Sequence, residues 1–118
     1  MQIKRMPGDG NCLFHSLSYP NGNVCMARAC IVRYISKHWD DFREFVVTEE
    51  RRDYIQEMIR PGTWGDEIVL RAFSDLARRQ VRVYTPSHEL IAAYGSAEYS
   101  PTANVCFSGC HYDVLLPW

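Results

Sequence analysis

The residue best suited to chemistry in this sequence is Cys12, which ends a loop-forming stretch at residues 7–11. Apolar residues that favour a helix follow at once, so we expect Cys12 in the first turn of a helix. Unpaired backbone N–H groups and the positive end of the helix dipole meet there, and both lower the pKa of a thiol. The backbone N–H groups of Asp9, Gly10 and Asn11 are able to converge beside the sulfur as an oxyanion loop. A surface turn leading into a core cysteine has the same pattern and stays open as the alternative.

The C-terminal part of the sequence offers a base for this nucleophile. His111 and Asp113 are two residues apart in a stretch that alternates like a β-strand, so their side chains project from the same face. A carboxylate beside an imidazole fixes its tautomer and stabilises the imidazolium form. A histidine that only caps a turn is the alternative. His15, three residues after Cys12, is a second candidate base, although its position favours a structural or groove-lining role.

Three stretches of the sequence, taken together, carry a resemblance to a known family. The first reads PGDGNCLF at 7–14, the second is the block at 63–77 and 81–84, and the third reads HYD at 111–113. In this order, over residues 6–116, they resemble the nucleophile motif, the middle block and the histidine motif of the ovarian tumour (OTU) family of cysteine proteases.

The resemblance implies deubiquitinating activity that needs no cofactor. Cys12 would be the nucleophile, His111 the base, and Asp113 the group that orients the histidine. The resemblance also implies that Asp9 shapes the oxyanion loop, and an acid that only stabilises a turn is the alternative for this residue. Two other functions stay open: a viral-type protease that processes a polyprotein, and a catalytically weak ubiquitin-binding module.

The resemblance implies ubiquitin or polyubiquitin chains as partners, with ubiquitin-like modifiers as a further class. A run in the middle block, Trp64, Gly65, Asp66 and Glu67, would then bind substrate. Trp64 would form one wall of a narrow channel that suits a Gly-Gly tail, and the two acids would meet basic residues near that tail. Asp66 and Glu67 fit equally well as acids in the first turn of a helix.

The composition limits the classes of function. A chain of 118 residues is expected to form a single domain over 1–118, and its net charge of −1 predicts no binding to nucleic acid or to a membrane surface. The sequence has no apolar run of membrane-spanning length and no signal-peptide pattern, so we expect an intracellular, cytoplasmic protein. Its length is compatible with a viral or bacterial protein, or with a domain cut from a longer one.

The five cysteines offer a zinc site as a competing use. Cys25 and Cys30 lie in a helical pattern, where five steps of about 100° turn their side chains apart, so they are poorly placed to share one ion. The sequence has no C-x-x-C pair, and we predict no metal site. An odd number of cysteines without a signal sequence instead indicates reduced thiols.

The order of the elements predicts an α+β fold, in which helices come first and strands follow, as a small, mostly antiparallel sheet packed by helices. The resemblance implies the same fold, the papain-like OTU architecture, with the active site between the first helix and the last strands. We expect an edge segment at 1–6, a helix at 24–38 and a short helix that begins at residue 40. Two further helices are expected, one capped by Thr48 and ending at 60, and one capped by Thr63 and Asp66 and ending at 79. Strands are expected at 81–84, 90–94, 104–107 and 112–116. Helical spacing places Phe45, Ile59 and Leu76 inside.

Overall fold

The structure is a computed structural model that describes residues 2–19, 24–45, 50–109 and 111–116. Its helices are α1 (Cys12–Ser18), α2 (Val24–Lys37), α3 (Trp39–Phe42), α4 (Arg51–Met58) and α5 (Glu67–Ala77), with a 3-10 turn at Arg43–Phe45. Its strands are β1 (Gln2–Lys4), β2 (Val81–Tyr84), β3 (Leu90–Tyr94), β4 (Ala103–Ser108) and β5 (His111–Leu116). Within these ranges, no helix combines the length and the apolar composition needed to cross a membrane.

The described strands form one mixed sheet in the order β1-β5-β4-β2-β3. Its neighbouring pairs are antiparallel except for β2 and β4, which run parallel. The predicted α+β class with a mostly antiparallel sheet is therefore confirmed. The last strand, β5, lies inside the sheet, and β1 covers its outer edge with Gln2 opposite Leu116. The two ends of the sequence thus meet in adjacent strands.

An apolar core joins the sheet to the helices. Helix α1 packs against β4 and β5, and α2 packs against α1, α4 and α5. The most deeply buried large side chains come from both layers: Leu13, Phe14, Ile31, Ile35, Val69, Leu70, Val81 and Val105. Burying a side chain of this size contributes roughly 1.5–3 kcal/mol. Because α1 supplies Leu13 and Phe14 to this core, the residue just before them is held at a fixed place beside the last strand.

The predicted element bounds agree closely with the structure. Each of the last four strands begins and ends within one residue of its predicted position, and the edge segment contains β1. Helix α2 ends at Lys37, one residue earlier than predicted. The predicted Thr48 cap lies outside the described residues.

Three apolar residues that helical spacing places inside are exposed instead. Phe45 is 36% exposed because it lies in the 3-10 turn, with the guanidinium of Arg71 4.3 Å from its ring centroid. Ile59 is 41% exposed because α4 has already ended, and Leu76 is 43% exposed at the last turn of α5. Periodicity predicts which face of a helix is apolar, but it does not predict how far along that face the neighbouring element reaches.

Candidate active site

Cys12 is the first residue of α1, as its position after the glycine-containing loop predicts. Its side chain is 0% exposed, and its Sγ accepts a hydrogen bond from the Tyr112 backbone N–H at 3.4 Å. These two residues are 100 positions apart in the sequence, so the packing of α1 on β5 brings the thiol to the strand that carries His111.

Burial raises the pKa of the Cys12 thiol, although the Tyr112 N–H and other backbone bonds lower it in part, and the charge of Asp113 adds to the rise. The lowered pKa predicted from the helix dipole is therefore wrong for the free protein. Removing the sulfur from water disfavours the thiolate more strongly than the nearby backbone N–H groups favour it.

His111 and Asp113 project from the same face of β5, as the alternation predicts. His111 Nε2 lies 2.7 Å from Asp113 Oδ1. Because the carboxylate accepts, this bond places the histidine proton on Nε2 and leaves Nδ1 as the basic nitrogen. Nδ1 faces the loop before Cys12, where a β-carbon on Gly8 would lie 4.0 Å from it.

Asp113 is anchored by the segment that follows β1. Its side chain is 3% exposed, and its Oδ1 also accepts the backbone N–H of Met6 at 2.7 Å. Arg5 approaches the other oxygen at 3.8 Å with a side chain that is 83% exposed. The sequence gives no signal for Met6, since the group it contributes is a backbone N–H and any residue except proline supplies one.

The loop before Cys12 is closed by Asp9. Both the carbonyl oxygen and Oδ1 of Asp9 accept the Asn11 N–H, at 2.7 and 3.1 Å. His15 lies 3.7 Å from Asp9 Oδ2. Burial would raise the pKa of Asp9, but the Asn11 N–H and the nearby His15 lower it below its ordinary value. The Asn11 N–H is therefore turned into the loop, and these contacts of Asp9 are those of an acid that stabilises a turn.

The side chain of Asn11 ties this loop to the helices behind it. Asn11 occupies the N-cap position of α1 without capping it, because its Oδ1 accepts from Arg28 Nη2 at 2.6 Å and from Gly62 N at 2.8 Å. Gly10 has φ +72°, and a β-carbon there would collide with the Gly62 carbonyl oxygen, so this position requires glycine. Sequence motifs do not identify Arg28, whose signal is a cation among the apolar residues of α2.

Two residues of the predicted substrate-binding run, Trp64 and Gly65, precede α5 and differ in their exposure and contacts. Trp64 is 45% exposed, which leaves its indole available to a partner. Gly65 packs against α1 so closely that a β-carbon there would lie 2.6 Å from Leu13 Cδ2. This contact fixes the segment before α5 against the start of α1, on the same side as the loop.

The two acids of that run have partners within the chain. Asp66 is the N-cap of α5: its Oδ1 accepts the Val69 N–H at 3.1 Å, and both its oxygens accept from the Tyr54 hydroxyl at 3.0 and 3.1 Å. Glu67 lies 3.8 Å from Arg71, one helical turn further on. The structure thus gives Asp66 a capping role, and Thr63, the other half of the predicted cap, instead donates to the Glu57 carbonyl.

Within the described ranges, no group of three histidine, cysteine, aspartate or glutamate side chains is arranged to hold a metal ion. Of the two helical cysteines weighed as zinc ligands, Cys30 is an exposed free thiol, and the side chain of Cys25 lies outside the description. The groups that the site brings together are the thiol of Cys12 and the imidazole and carboxylate of His111 and Asp113.

Curated proteins with similar sequences are larger than this chain. OVARIAN TUMOR DOMAIN-containing deubiquitinating enzyme 6 of Arabidopsis thaliana is 27% identical over 122 residues, covering 98% of this chain and 24% of that protein. Ubiquitin thioesterase otu2 of Schizosaccharomyces pombe is 32% identical over 132 residues, covering 94% of this chain and 44% of that protein. The chain therefore spans less than half the length of either relative.

Solved structures share the fold. The viral OTU domain protease from Taggert virus superposes with a TM-score of 0.81 at 24% identity, covering 96% of this chain and 77% of that one. The Hazara virus OTU bound to ubiquitin gives a TM-score of 0.79 at 21% identity, covering 96% and 78%. The sequence profile described as OTU-like cysteine protease matches residues 7–112. Since this match covers most of the sequence, the chain belongs to the OTU-like cysteine protease family.

Proposed function

We propose that this chain hydrolyses isopeptide and peptide bonds at the C-terminus of ubiquitin, or of ubiquitin-like modifiers, through Cys12, His111 and Asp113. The observation that carries the proposal is that the Cys12 thiol is bonded to the backbone N–H of Tyr112, the neighbour of His111, whose imidazole lies 2.7 Å from the buried Asp113 carboxylate. Family membership supports the reaction class, and relatives named as deubiquitinating enzymes and ubiquitin thioesterases support ubiquitin as the substrate.

In the first step, His111 removes the thiol proton and Cys12 attacks the substrate carbonyl carbon. The basic Nδ1 takes the proton because Nε2 is already committed to Asp113. A carbon–sulfur bond forms, and the carbonyl electron pair moves to the oxygen. The imidazolium then protonates the leaving amine, which leaves a thioester on Cys12. Water activated by His111 hydrolyses this thioester and restores the thiol.

The negative oxygen of the intermediate needs hydrogen-bond donors. The N–H of Asn11 is occupied by Asp9, so the first-turn N–H of Cys12 and the N–H of Gly10 are the donors that the loop offers. Loss of one such donor in a related site costs roughly 3 kcal/mol in the transition state.

The proposal is tested by mixing the folded chain with ubiquitin that carries an electrophile at its C-terminus, and by measuring turnover of a fluorogenic ubiquitin substrate. We expect a covalent adduct on Cys12 that is absent from Cys12→Ala and strongly slowed in His111→Ala. Matched controls are Cys30→Ala, an exposed thiol on α2, and His38→Ala, a histidine at the end of that helix; both should react like the parent.

Failure of the folded parent chain to react or turn over would overturn the proposal. Binding of ubiquitin without turnover would then indicate a binding module. Cleavage of an unrelated peptide junction by the same cysteine would indicate a protease of the polyprotein-processing kind.

A further inference from the structure

The side chain of Asn11 does not do what an asparagine at its position ordinarily does. At a helix N-cap, the side-chain oxygen accepts a backbone N–H from the first turn. Here that oxygen points away from α1 and receives two other donors, Arg28 Nη2 at 2.6 Å and Gly62 N at 2.8 Å. The Asn11 amide oxygen thereby ties the loop before Cys12 to α2 and to the segment around Gly62.

Arg28 is itself held in place from several sides. Its side chain is 4% exposed, its Nη1 donates to the Met58 carbonyl at 2.9 Å, and its guanidinium carbon lies 4.0 Å from the centroid of the Phe14 ring. A planar guanidinium is able to bond Met58 and Asn11 at once and to stack on the ring. A lysine ammonium is a point charge on a flexible stem, so it cannot make all of these contacts at once.

The contact of Arg28 with Asn11 affects the oxyanion loop because the other contacts of this loop leave its backbone little room to move. Gly10 packs against the Gly62 carbonyl, and the Asn11 N–H is bonded to Asp9. The bonds of the Asn11 side chain to Arg28 and Gly62 are the third contact that fixes this loop. Without the guanidinium, the amide oxygen loses one of its two donors, and the backbone that presents the Gly10 and Cys12 N–H groups is held less firmly.

We propose that Arg28 is a positioning residue for the oxyanion loop, and that it acts by fixing the Asn11 side chain, which anchors this loop to the segment around Gly62. The inference rests on the proposed role of Cys12 as a nucleophile that attacks a carbonyl. Arg28 touches neither substrate nor the reacting atoms in this scheme. Its effect belongs to the transition state, since it governs donors that bind the oxygen only as negative charge develops.

Two reactions of the same thiol separate this role from a purely structural one. Acylation of Cys12 by p-nitrophenyl acetate forms a carbon–sulfur bond through a tetrahedral oxyanion and releases p-nitrophenolate. Alkylation by iodoacetamide forms a carbon–sulfur bond and displaces iodide in one step, with no oxyanion. The ratio of the two rates, measured on the intact chain, therefore reports oxyanion stabilisation and cancels changes in thiol ionisation.

We expect the ratio of acylation to alkylation to fall about 10- to 100-fold in both Arg28→Lys and Asn11→Ala, which is below the full loss of an oxyanion donor. With a fluorogenic ubiquitin substrate, kcat should fall by a similar factor while KM changes less than about threefold. Because Arg28 acts through Asn11, adding Arg28→Lys to Asn11→Ala should change the ratio no further than about twofold.

Two substitutions on the same helix serve as controls. Val32→Ala removes a side chain that is 2% exposed and destabilises the core without touching Asn11, and Arg33→Lys repeats the charge-conserving change at an exposed position. Both should leave the ratio unchanged. If Arg28→Lys does not fold, Asn11→Ala decides the question, because the Asn11 side chain is only partly buried.

The proposal is overturned if Asn11→Ala leaves the ratio unchanged, or if the losses of the two single variants multiply in the double variant. These outcomes differ from failure of the proposed function. A chain that ignores ubiquitin but shows the expected ratios would refute the ubiquitin substrate and keep the role of Arg28. Variants that hydrolyse the ubiquitin substrate but show unchanged ratios would refute the role of Arg28 and keep ubiquitin as the substrate.

Discussion

The Cys12 thiol sets the pH response of the site, because burial raises its pKa above the ordinary value. We expect the rate of iodoacetamide alkylation of the free chain to keep rising above the pKa of free cysteine, about 8.5, since the reactive thiolate forms only at higher pH. Mass spectrometry of the alkylated protein across pH 5 to 10 or so gives this profile. A plateau already reached near neutral pH would reveal a resting thiolate–imidazolium pair instead.

The raised pKa of Cys12 also determines how the stability of the folded chain depends on pH. A raised pKa in the folded state means that the unfolded chain releases the Cys12 proton first as the pH rises. The contribution of the neutral thiol is fully present below the unfolded pKa, and it is lost as the pH rises through the folded value. Urea midpoints of the parent and Cys12→Ala, compared at neutral and alkaline pH, should therefore show a smaller alkaline loss in the variant.

Asp113 is expected to be far more important for catalysis than the arginine beside it. Asp113→Ala removes the acceptor that orients His111 and also binds the Met6 N–H, so kcat for a fluorogenic ubiquitin substrate should fall at least about 100-fold. Arg5→Ala removes an exposed pair at 3.8 Å, worth no more than about 1 kcal/mol, and should change kcat less than about threefold. Equal losses in the two variants would contradict this order.

The sequence could predict the candidate site where side-chain type and spacing decide the matter. A cysteine after a glycine-rich loop, and a histidine and aspartate two apart on a strand, are local patterns that the structure brings together. The predicted direction of the Cys12 pKa shift is wrong, because desolvation of the thiol depends on which residues pack over the sulfur. Arg28 was missed for the same reason, since its partner Asn11 lies on another element 17 positions away.

At the scale of elements, substitutions at the start of α5 distinguish a capping role of Asp66 from a role in substrate binding. Asp66→Ala should lower the free energy of unfolding by about 1–2 kcal/mol, since the Val69 N–H loses its cap. Asp66→Asn keeps an acceptor oxygen for the Val69 N–H. It also avoids the cost of burying a charge, which raises the pKa of Asp66. The free energy of unfolding should therefore change by less than about 0.5 kcal/mol in this variant. Urea unfolding followed by circular dichroism measures both.

The kinetic control for this pair is KM for the ubiquitin substrate. Asp66 acting as a cap predicts an unchanged KM in Asp66→Asn. A tenfold or larger rise in KM at unchanged stability would assign the carboxylate to substrate binding instead. Glu67→Gln is the matched comparison, because Glu67 is exposed and forms an ion pair with Arg71 on its own helix.

The elements themselves were predictable to the extent that they are local. Alternation in 81–84 and turn residues around the later strands fixed their bounds within one residue. The parallel pairing of β2 with β4 was beyond such patterns, because strand direction depends on how the connection through β3 crosses the sheet. Phe45, Ile59 and Leu76 show the same limit for helices, where the neighbouring element decides which apolar residues are covered.

For the whole molecule, the important fact is that the candidate nucleophile and base are far apart in sequence and share one core. Helix α1 carries Cys12 and packs on β5, which carries His111. Strand β5 is itself an inner strand, held between β1 and β4, so it cannot leave without opening the sheet on both sides. The site should therefore exist only while the global fold does.

We accordingly expect activity and overall structure to be lost at the same urea concentration, with turnover of the ubiquitin substrate and far-UV circular dichroism giving coincident midpoints. Ile35→Val, a core change on α2 that costs about 0.5–1.5 kcal/mol, should lower both midpoints equally and leave kcat without urea unchanged. Activity that disappears at clearly lower urea than the circular dichroism signal would mean that the site opens locally. In that case β5 or the loop before Cys12 would form a separate, weaker unit, and alkylation of the otherwise buried Cys12 would accelerate at the same low urea concentration.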